Sequence, residues 1–194
     1  MLLALVAATA AFDPSQADPA TITKLTESGQ VVIVEERPDG RVELVTGGTL
    51  VKASPDEVWA VITDYEAYPK WMPQTTVVSV TEGPDGTKDV HYTLDFQFSV
   101  ISKTVEYTNR HWEDPTNRSI RFELVSGDFA ASTGSWHVTP AKGGSIVYYS
   151  TYTDLESMGW IVASLIEEQP SMEMAIQAST AVMVVKAIKE RAES

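Results

Sequence analysis

The sequence predicts an α+β domain: an antiparallel sheet of seven strands, two short helices between the first and second of them, and a long helix after the last. Three observations predict it. From Thr75 to Asp154 apolar and polar residues alternate with period 2, interrupted by turn clusters at Gly83-Pro84-Asp85-Gly86, Asp114-Pro115-Thr116-Asn117, Gly127-Asp128 and Lys142-Gly143-Gly144. From Trp160 to Arg191 the apolar period is helical. Between the first strand and the rest, Ser54-Pro55-Asp56-Glu57 carries each signal of a helix start.

In chain order, Met1 to Ala11 is almost wholly small and apolar, and Ala8-Thr9-Ala10 fits the small-x-small pattern of signal peptidase. This reads as a signal peptide and places the protein in the periplasm or outside the cell. The run lacks a positive leading region, so the true start codon and a cytoplasmic location with an N-terminal helix stay open. Residues 12–40 read as an N-terminal extension: an irregular lead-in over Phe12 to Ala20, then an additional strand from Gln30 to Glu36. The turn Arg37-Pro38-Asp39-Gly40 joins that strand to the first strand of the domain, Arg41 to Lys52. Ser54 as N-cap, Pro55 at the first helical position and Glu57 closing a capping box start the next helix, with Val58, Val61, Ile62 and Tyr65 on its apolar face. Asp64 caps a second, shorter turn, and Pro69, Trp71 and Pro73 end helical structure. Strands follow over about Thr76 to Thr81, Lys88 to Phe98, Ile101 to Trp112, Ser119 to Val125, Ser132 to Thr139 and Ser145 to Asp154. Their connections are too short for crossovers, so the sheet is antiparallel.

In the last stretch, Pro170 should break the helix, leaving Ile161 to Glu168 as a first segment. Beyond it Met174, Ala175, Ala178, Ala181, Val182, Val185 and Ile188 form one wide apolar face, and Glu173, Gln177, Thr180 and Arg191 a polar one. A second, narrower apolar strip of Met172, Ile176, Met183 and Ala187 lies between polar sectors. The helix therefore has more to bury than a simple surface helix.

Composition excludes several classes of function. With 27 acidic against 14 basic residues and a net charge of −13, the field opposes phosphate backbones and anionic membrane surfaces, so nucleic acid is not an expected partner. The chain has no cysteine, hence no disulfide, no thiolate nucleophile and no lipoprotein anchor. The apolar start is too short for a stable membrane anchor. No P-loop, dinucleotide fingerprint or G-x-S-x-G elbow occurs, and no cofactor is expected.

The run from Val51 to Pro73, Val-Lys-Ala-Ser-Pro-Asp-Glu-Val-Trp-Ala-Val-Ile-Thr-Asp-Tyr-Glu-Ala-Tyr-Pro-Lys-Trp-Met-Pro, resembles the opening of the SRPBCC or START-like superfamily, in its polyketide cyclase/dehydrase and coenzyme Q-binding branch. Phe122 to Asp128, then Gly134-Ser135-Trp136 and the aromatic strand ending at Asp154, is similar to the second half of that branch. The resemblance covers about residues 41–191. It implies the helix-grip fold, in which a curved seven-stranded sheet wraps the long C-terminal helix and leaves a cavity between them. Members of the branch include quinone-binding proteins and aromatic polyketide cyclases. The resemblance supplies no invariant catalytic set, so no catalytic residue is carried over.

Strand parity then decides which side chains face that cavity. If Phe98 pairs with Ile101 across the Ser99-Val100 hairpin, Phe96 faces Lys103, Leu94 faces Val105 and Tyr92 faces Tyr107 on one face. Asn109 and His111 extend it, facing Phe122 and Ile120 respectively if the next turn is tight. For the last strand, Val147/Tyr149/Thr151 and Ile146/Tyr148/Ser150/Tyr152 remain equally good inner sets. Trp71 and Trp136 resemble family positions near the seam of helix and sheet, and each tryptophan reads as core. Met174, Ala178 and Val182 are expected to complete the wall from the helix. Of the three histidines, His91 points outward, His111 inward, and His137 is out of phase with Trp136, so no metal site is expected. His111 with Tyr107 and Tyr92 is the best candidate for proton transfer. The leading expectation is a carrier of a hydrophobic or amphipathic small molecule, such as a lipid, a quinone or a polyketide-like aromatic. The alternatives are a cyclase/dehydratase-type enzyme using the same cavity, or a protein-interaction module. The sequence leaves the oligomeric state open.

Overall fold

The computed structural model describes residues 4–7, 12–27, 29–98 and 101–194. Its strands are β1 (Ala4–Ala7), β2 (Val31–Glu36), β3 (Val42–Val51), β4 (Thr75–Glu82), β5 (Lys88–Phe98), β6 (Ile101–Asp114), β7 (Ser119–Gly127), β8 (Ser132–Ala141) and β9 (Gly144–Thr153). They form one sheet in the order β1-β2-β3-β9-β8-β7-β6-β5-β4, antiparallel throughout save for the parallel β1–β2 pair. The helices are α1 (Pro19–Thr26), α2 (Pro55–Thr63), α3 (Trp160–Glu168) and α4 (Ser171–Ala192). The seven expected strands are β3 to β9, and β2 is the additional strand of the extension. β1 widens the sheet further; it lies within the segment read as a signal peptide, whose Ala8-Thr9-Ala10 site is outside the described residues.

Local chemistry accounts for most element boundaries. At α2, Ser54 Oγ accepts from the Glu57 backbone N–H at 3.3 Å, and the Glu57 carboxylate accepts from the Ser54 backbone N–H at 2.7 Å, the reciprocal capping box. In the β2–β3 turn Gly40 adopts φ +82°, a conformation only glycine takes cheaply. The lead-in over Phe12 to Ala20 is more ordered than expected. Asp13 caps a short 3-10 turn over Pro14–Gln16, and the Asp18 carboxylate accepts from the Ala20 and Thr21 N–H groups at 3.3 and 3.0 Å to start α1. An aspartate directly before proline is a helix-start signal in its own right.

The β5–β6 register is Tyr92 to Tyr107, Leu94 to Val105 and Phe96 to Lys103, as parity predicted. The β6–β7 register is offset by two residues from expectation: His111 pairs with Phe122 and Asn109 with Leu124. The turn is wider than assumed because the Asp114 carboxylate accepts from the N–H groups of Thr116 and Asn117 at 3.0 and 3.1 Å, so Asp114 pairs with Ser119. A bulge puts Val125 out of the ladder on β7, which leaves the inward parity of Tyr107, Asn109 and His111 on β6 intact.

The long helix breaks at Pro170, as expected, and α4 lies across the concave side of the sheet. It touches down most closely where Ala181 meets Gly47 of β3: a Cβ on Gly47 would stand 2.9 Å from the Ala181 carbonyl oxygen. Around that contact Val32, Val34, Val42, Val45 and Ala181 are buried, with Met174, Ala178 and Val182 packed against them. The wide apolar face of α4 is therefore spent on β2 and β3. The polar face is not solvated as expected, since Glu173 and Gln177 are buried. Arg41, at the foot of β3, reaches Glu173 Oε2 at 2.7 Å and Glu156 at 2.8 Å, and Gln177 Oε1 accepts from the Thr153 N–H at 3.2 Å. Trp160, expected in the core, is 79% exposed; α3 turns Val162 and Ile166 inward, and Trp160 lies on another face of that helix.

Because α4 rests on backbone at Gly47, Gly47→Val should lift the helix from β3. Overpacking of this kind costs about 1 to 3 kcal/mol, to be read as a lower midpoint of urea or thermal unfolding. An unchanged midpoint would mean that the helix is not seated there.

Candidate ligand-binding cavity

Where α4 leaves β3 and passes over the other half of the sheet, helix and sheet part and enclose a cavity of about 130 Å³. Tyr92, Leu94 and Phe96 of β5, Tyr107, Asn109 and His111 of β6, Phe122 of β7 and Trp136 of β8 line it, all on the inward parity read from sequence. The other expected residues lie elsewhere. Val105 is fully buried in the core beside Phe96 and Phe129. Trp71 stands behind the lining, edge-on to Tyr68 with ring centroids 5.0 Å apart. Met174, Ala178 and Val182 face β2 and β3, because the Gly47 contact rotates that face of α4 away from the cavity. The side chain of Phe98 lies outside the described residues.

The helix wall is instead Ile176, Gln177, Thr180, Met183 and Val184. Ile176 and Met183 belong to the narrower apolar strip whose purpose the sequence left unexplained, whereas Ala187 of that strip is buried in the core. On β9 the inner set is Tyr149, Thr151 and Thr153. Ile146 and Tyr148 look as apolar because α1 and Phe12 cover the outer face there, with Ile22 packed on both and Phe12 5.8 Å from Tyr148. The turn after α2 contributes Tyr68, Met72, Pro73, Gln74 and Thr75, and Phe129, Leu155 and Met158 close the remaining side. Aromatic spacing within the β4-proximal turn was the only sequence signal for the first group, and none marked the last.

The walls are a continuous aromatic surface. Tyr92 stacks on Tyr107 at 5.2 Å between centroids, His111 on Phe122 at 5.5 Å and Phe122 on Tyr149 at 6.1 Å, while Trp136 meets Tyr149 at 4.5 Å. Among the described residues lining it, none is Asp, Glu, Lys or Arg. Asn109 is 4% exposed and its Oδ1 has no hydrogen-bond partner among the described residues. Among the described residues there is also no group of three His, Cys, Asp or Glu able to hold a metal ion.

A polar relay runs from the surface to the cavity wall. Lys88 Nζ is 3.0 Å from the Glu113 carboxylate, Tyr65 Oη donates to Glu113 Oε1 at 2.7 Å, His111 Nδ1 lies 3.2 Å from Tyr65 Oη, and Tyr92 Oη lies 3.4 Å from His111 Nε2. Tyr65 commits its proton to a carboxylate, so its oxygen accepts from His111 Nδ1–H, and Nε2 is left to accept the Tyr92 hydroxyl. Burial, assisted by the nearby Lys88 charge, pushes the His111 pKa down from 6.5 to about 3. Burial likewise pushes the phenols of Tyr65, Tyr92 and Tyr107 upward, with Glu113 adding to the shift at Tyr65. Near neutral pH each of these groups is uncharged. An imidazole so reluctant to protonate is a weak general base, and the site is better equipped for hydrogen bonding than for proton abstraction.

The same shift makes a stability prediction. An unfolded chain binds a proton at His111 near pH 6.5, whereas the folded one resists until about pH 3. Stability is thus lost as pH falls through that window, by roughly 2 to 3 kcal/mol at pH 4.5. Urea unfolding of the wild type and His111→Gln at pH 7 and 4.5 isolates this, because other titrating groups cancel. The difference should move in favour of the variant by that amount at pH 4.5; an equal difference at both pH values would mean that His111 titrates normally.

Comparison with known proteins agrees with this architecture. Residues 51–174 match the family described as polyketide cyclase/dehydrase and lipid transport. The ribosome association toxin RatA of Escherichia coli (strain K12) is 31% identical over 91 residues, 47% of this chain and 54% of that protein; the chain spans about half the length of the curated relatives it matches. Among solved structures, the Zhui aromatase/cyclase from Streptomyces sp. R1128 superimposes with a TM-score of 0.62 at 21% identity, covering 78% of this chain and 93% of that one. The STAR-related lipid transfer protein from Xanthomonas axonopodis gives 0.61 at 17%, covering 86% and 95%. At such identities the solved structures share the fold alone. With the helix-grip architecture in place and the family match running from the end of β3 to the start of α4, the chain belongs to the polyketide cyclase/dehydrase and lipid transport family.

Proposed function

We propose that the protein binds a hydrophobic or amphipathic small molecule in the cavity between sheet and α4, and acts as a carrier rather than an enzyme. One observation carries this reading: a cavity between sheet and helix, rich in aromatic side chains, with no charged residue in its lining among the described residues and with the buried Asn109 Oδ1 lacking a partner among them. Apolar ligand surface buried there gains about 25 cal/mol per Å², and the amide orients what enters. The lipid transport named in the family description is consistent with it. The name of the Escherichia coli relative points to ribosome association for that protein; a net charge of −13 on this chain works against contact with ribosomal phosphates.

A cyclase/dehydratase reading has a specific observation in its favour, the relay Glu113–Tyr65–His111–Tyr92, which orients an imidazole and a phenol toward the cavity. The depressed pKa of His111 weighs against it. His111→Gln separates the two. For a carrier, affinity for the co-purifying ligand, identified by native mass spectrometry, should change by about one net hydrogen bond, 0.5 to 1.5 kcal/mol. For an enzyme, turnover of that molecule should fall about 10² to 10⁴-fold with binding nearly intact. The carrier reading expects the first result and would be abandoned on the second, or if the protein purifies empty as a dimer.

A further inference from the structure

The cavity carries more information about its occupant than its apolar character. It is small, much of its wall is aromatic, its lining among the described residues is uncharged, and the buried Asn109 Oδ1 in that lining has no hydrogen-bond partner among the described residues. On the reading that this cavity is a ligand site, we propose that its occupant presents an uncharged, single planar ring bearing a hydroxyl group, seated among Tyr92, Tyr107, Phe122 and Trp136 with the hydroxyl on the Asn109 carboxamide.

Size is the first constraint. The space of about 130 Å³ is close to that of cavities, about 150 Å³, which hold one benzene molecule. A space of that size matches one ring better than a long acyl chain, so any tail must extend beyond it through the open side of the pocket. The wall chemistry is the second. Aromatic side chains favour a flat partner in offset-stacked or edge-on contact, and the existing pairs at 4.5 to 6.1 Å present both ring faces and edges.

Charge is the third constraint. The acidic groups nearest this region are already engaged: Glu113 by Lys88 and Tyr65, and Glu173 by Arg41. Neither lines the cavity, and nor does a cation. A carboxylate or ammonium on the ligand would lose its hydration without gaining a counter-charge, which excludes ionised ligands. Asn109 sets the polar requirement. A buried amide with an unmade hydrogen bond is costly, and a carboxamide offers a donor and an acceptor at interchangeable ends. A hydroxyl donates and accepts, so it completes the site whichever end of the amide faces it.

The test is a titration followed by amide chemical shifts, using phenol, toluene and benzoate as probes on the wild type and Asn109→Leu at pH 7. Phenol and toluene should both perturb resonances of cavity residues, while benzoate should not bind. The ratio of the toluene to the phenol dissociation constant should fall about tenfold in Asn109→Leu, the size of one net hydrogen bond. Asn109→Ala provides the same comparison should the leucine variant not fold, because the ratio within each variant cancels general changes in the cavity. An unchanged ratio, or benzoate binding as well as phenol, overturns the proposal. If all three probes fail while native mass spectrometry detects a long-chain lipid, the ring proposal falls and the carrier reading stands. If the probes fail and the protein carries nothing, both fall.

Discussion

The contact between Ala181 and Gly47 decides where everything else can go. A helix seated on the backbone of a strand sits as low as a helix can, and only glycine on β3 permits it. From that point α4 spends its wide apolar face on the β2–β3 half of the sheet. Elsewhere along the helix Ile176, Thr180 and Met183 stand over the β5–β9 half as the helix wall of the cavity, with Ile176 packed against the cluster of Phe96, Val105 and Phe129. The cavity is the space that a single low contact at one side leaves at the other.

Two buried polar groups hold this geometry against slippage. Glu173 would be prohibitive to bury alone, and Arg41 neutralises it from the foot of β3 while also binding Glu156 just before α3. Gln177, one turn along, caps the Thr153 N–H at the end of β9. These bonds tie the first strand of the domain, the last strand and both C-terminal helices at the cavity's edge. On the opposite side Glu113 does the same through Tyr65 and His111, joining β6 to the turn after α2. Such networks specify one arrangement because a shift by one residue leaves several buried groups unpaired at once.

Much of this was legible in the sequence, and what was not has identifiable causes. The capping box at Ser54, the break at Pro170 and the β5–β6 register are local, and local chemistry determines them. Eight inward residues on β5 to β8 followed from the same parity, and the cavity lines up along them. The inner face of β9 was illegible because α1 buries the outer one, so both parities are equally apolar. The burial of Glu173 depends on an arginine 132 residues away, and no periodicity within the helix could announce it. The cavity-facing side of α4 was misread for the related reason that the wider apolar stripe was taken to mark the ligand wall. A dry cavity needs fewer side chains than a close-packed seam does. Ile176 and Met183 of the narrow strip, which looked surplus, face the cavity.

The cavity has a thermodynamic consequence for how the protein works. At about 24 cal/mol per Å³ of void, a space of about 130 Å³ left dry would cost the folded state about 3 kcal/mol, a large fraction of a typical domain's net stability. That cost is tolerable because the Gly47 seat and the two polar networks lie outside the cavity and do not need it filled. It also defines the driving force for capture: a ligand of matching shape recovers the lost contacts, and about 3 kcal/mol is more than a hundredfold in affinity before any hydrogen bond forms. Because the titratable lining groups keep their charge near neutral pH, this gain is the same across the physiological range. On the proposed carrier reading, binding rests on packing against the aromatic wall, with the Asn109 carboxamide as its polar contact.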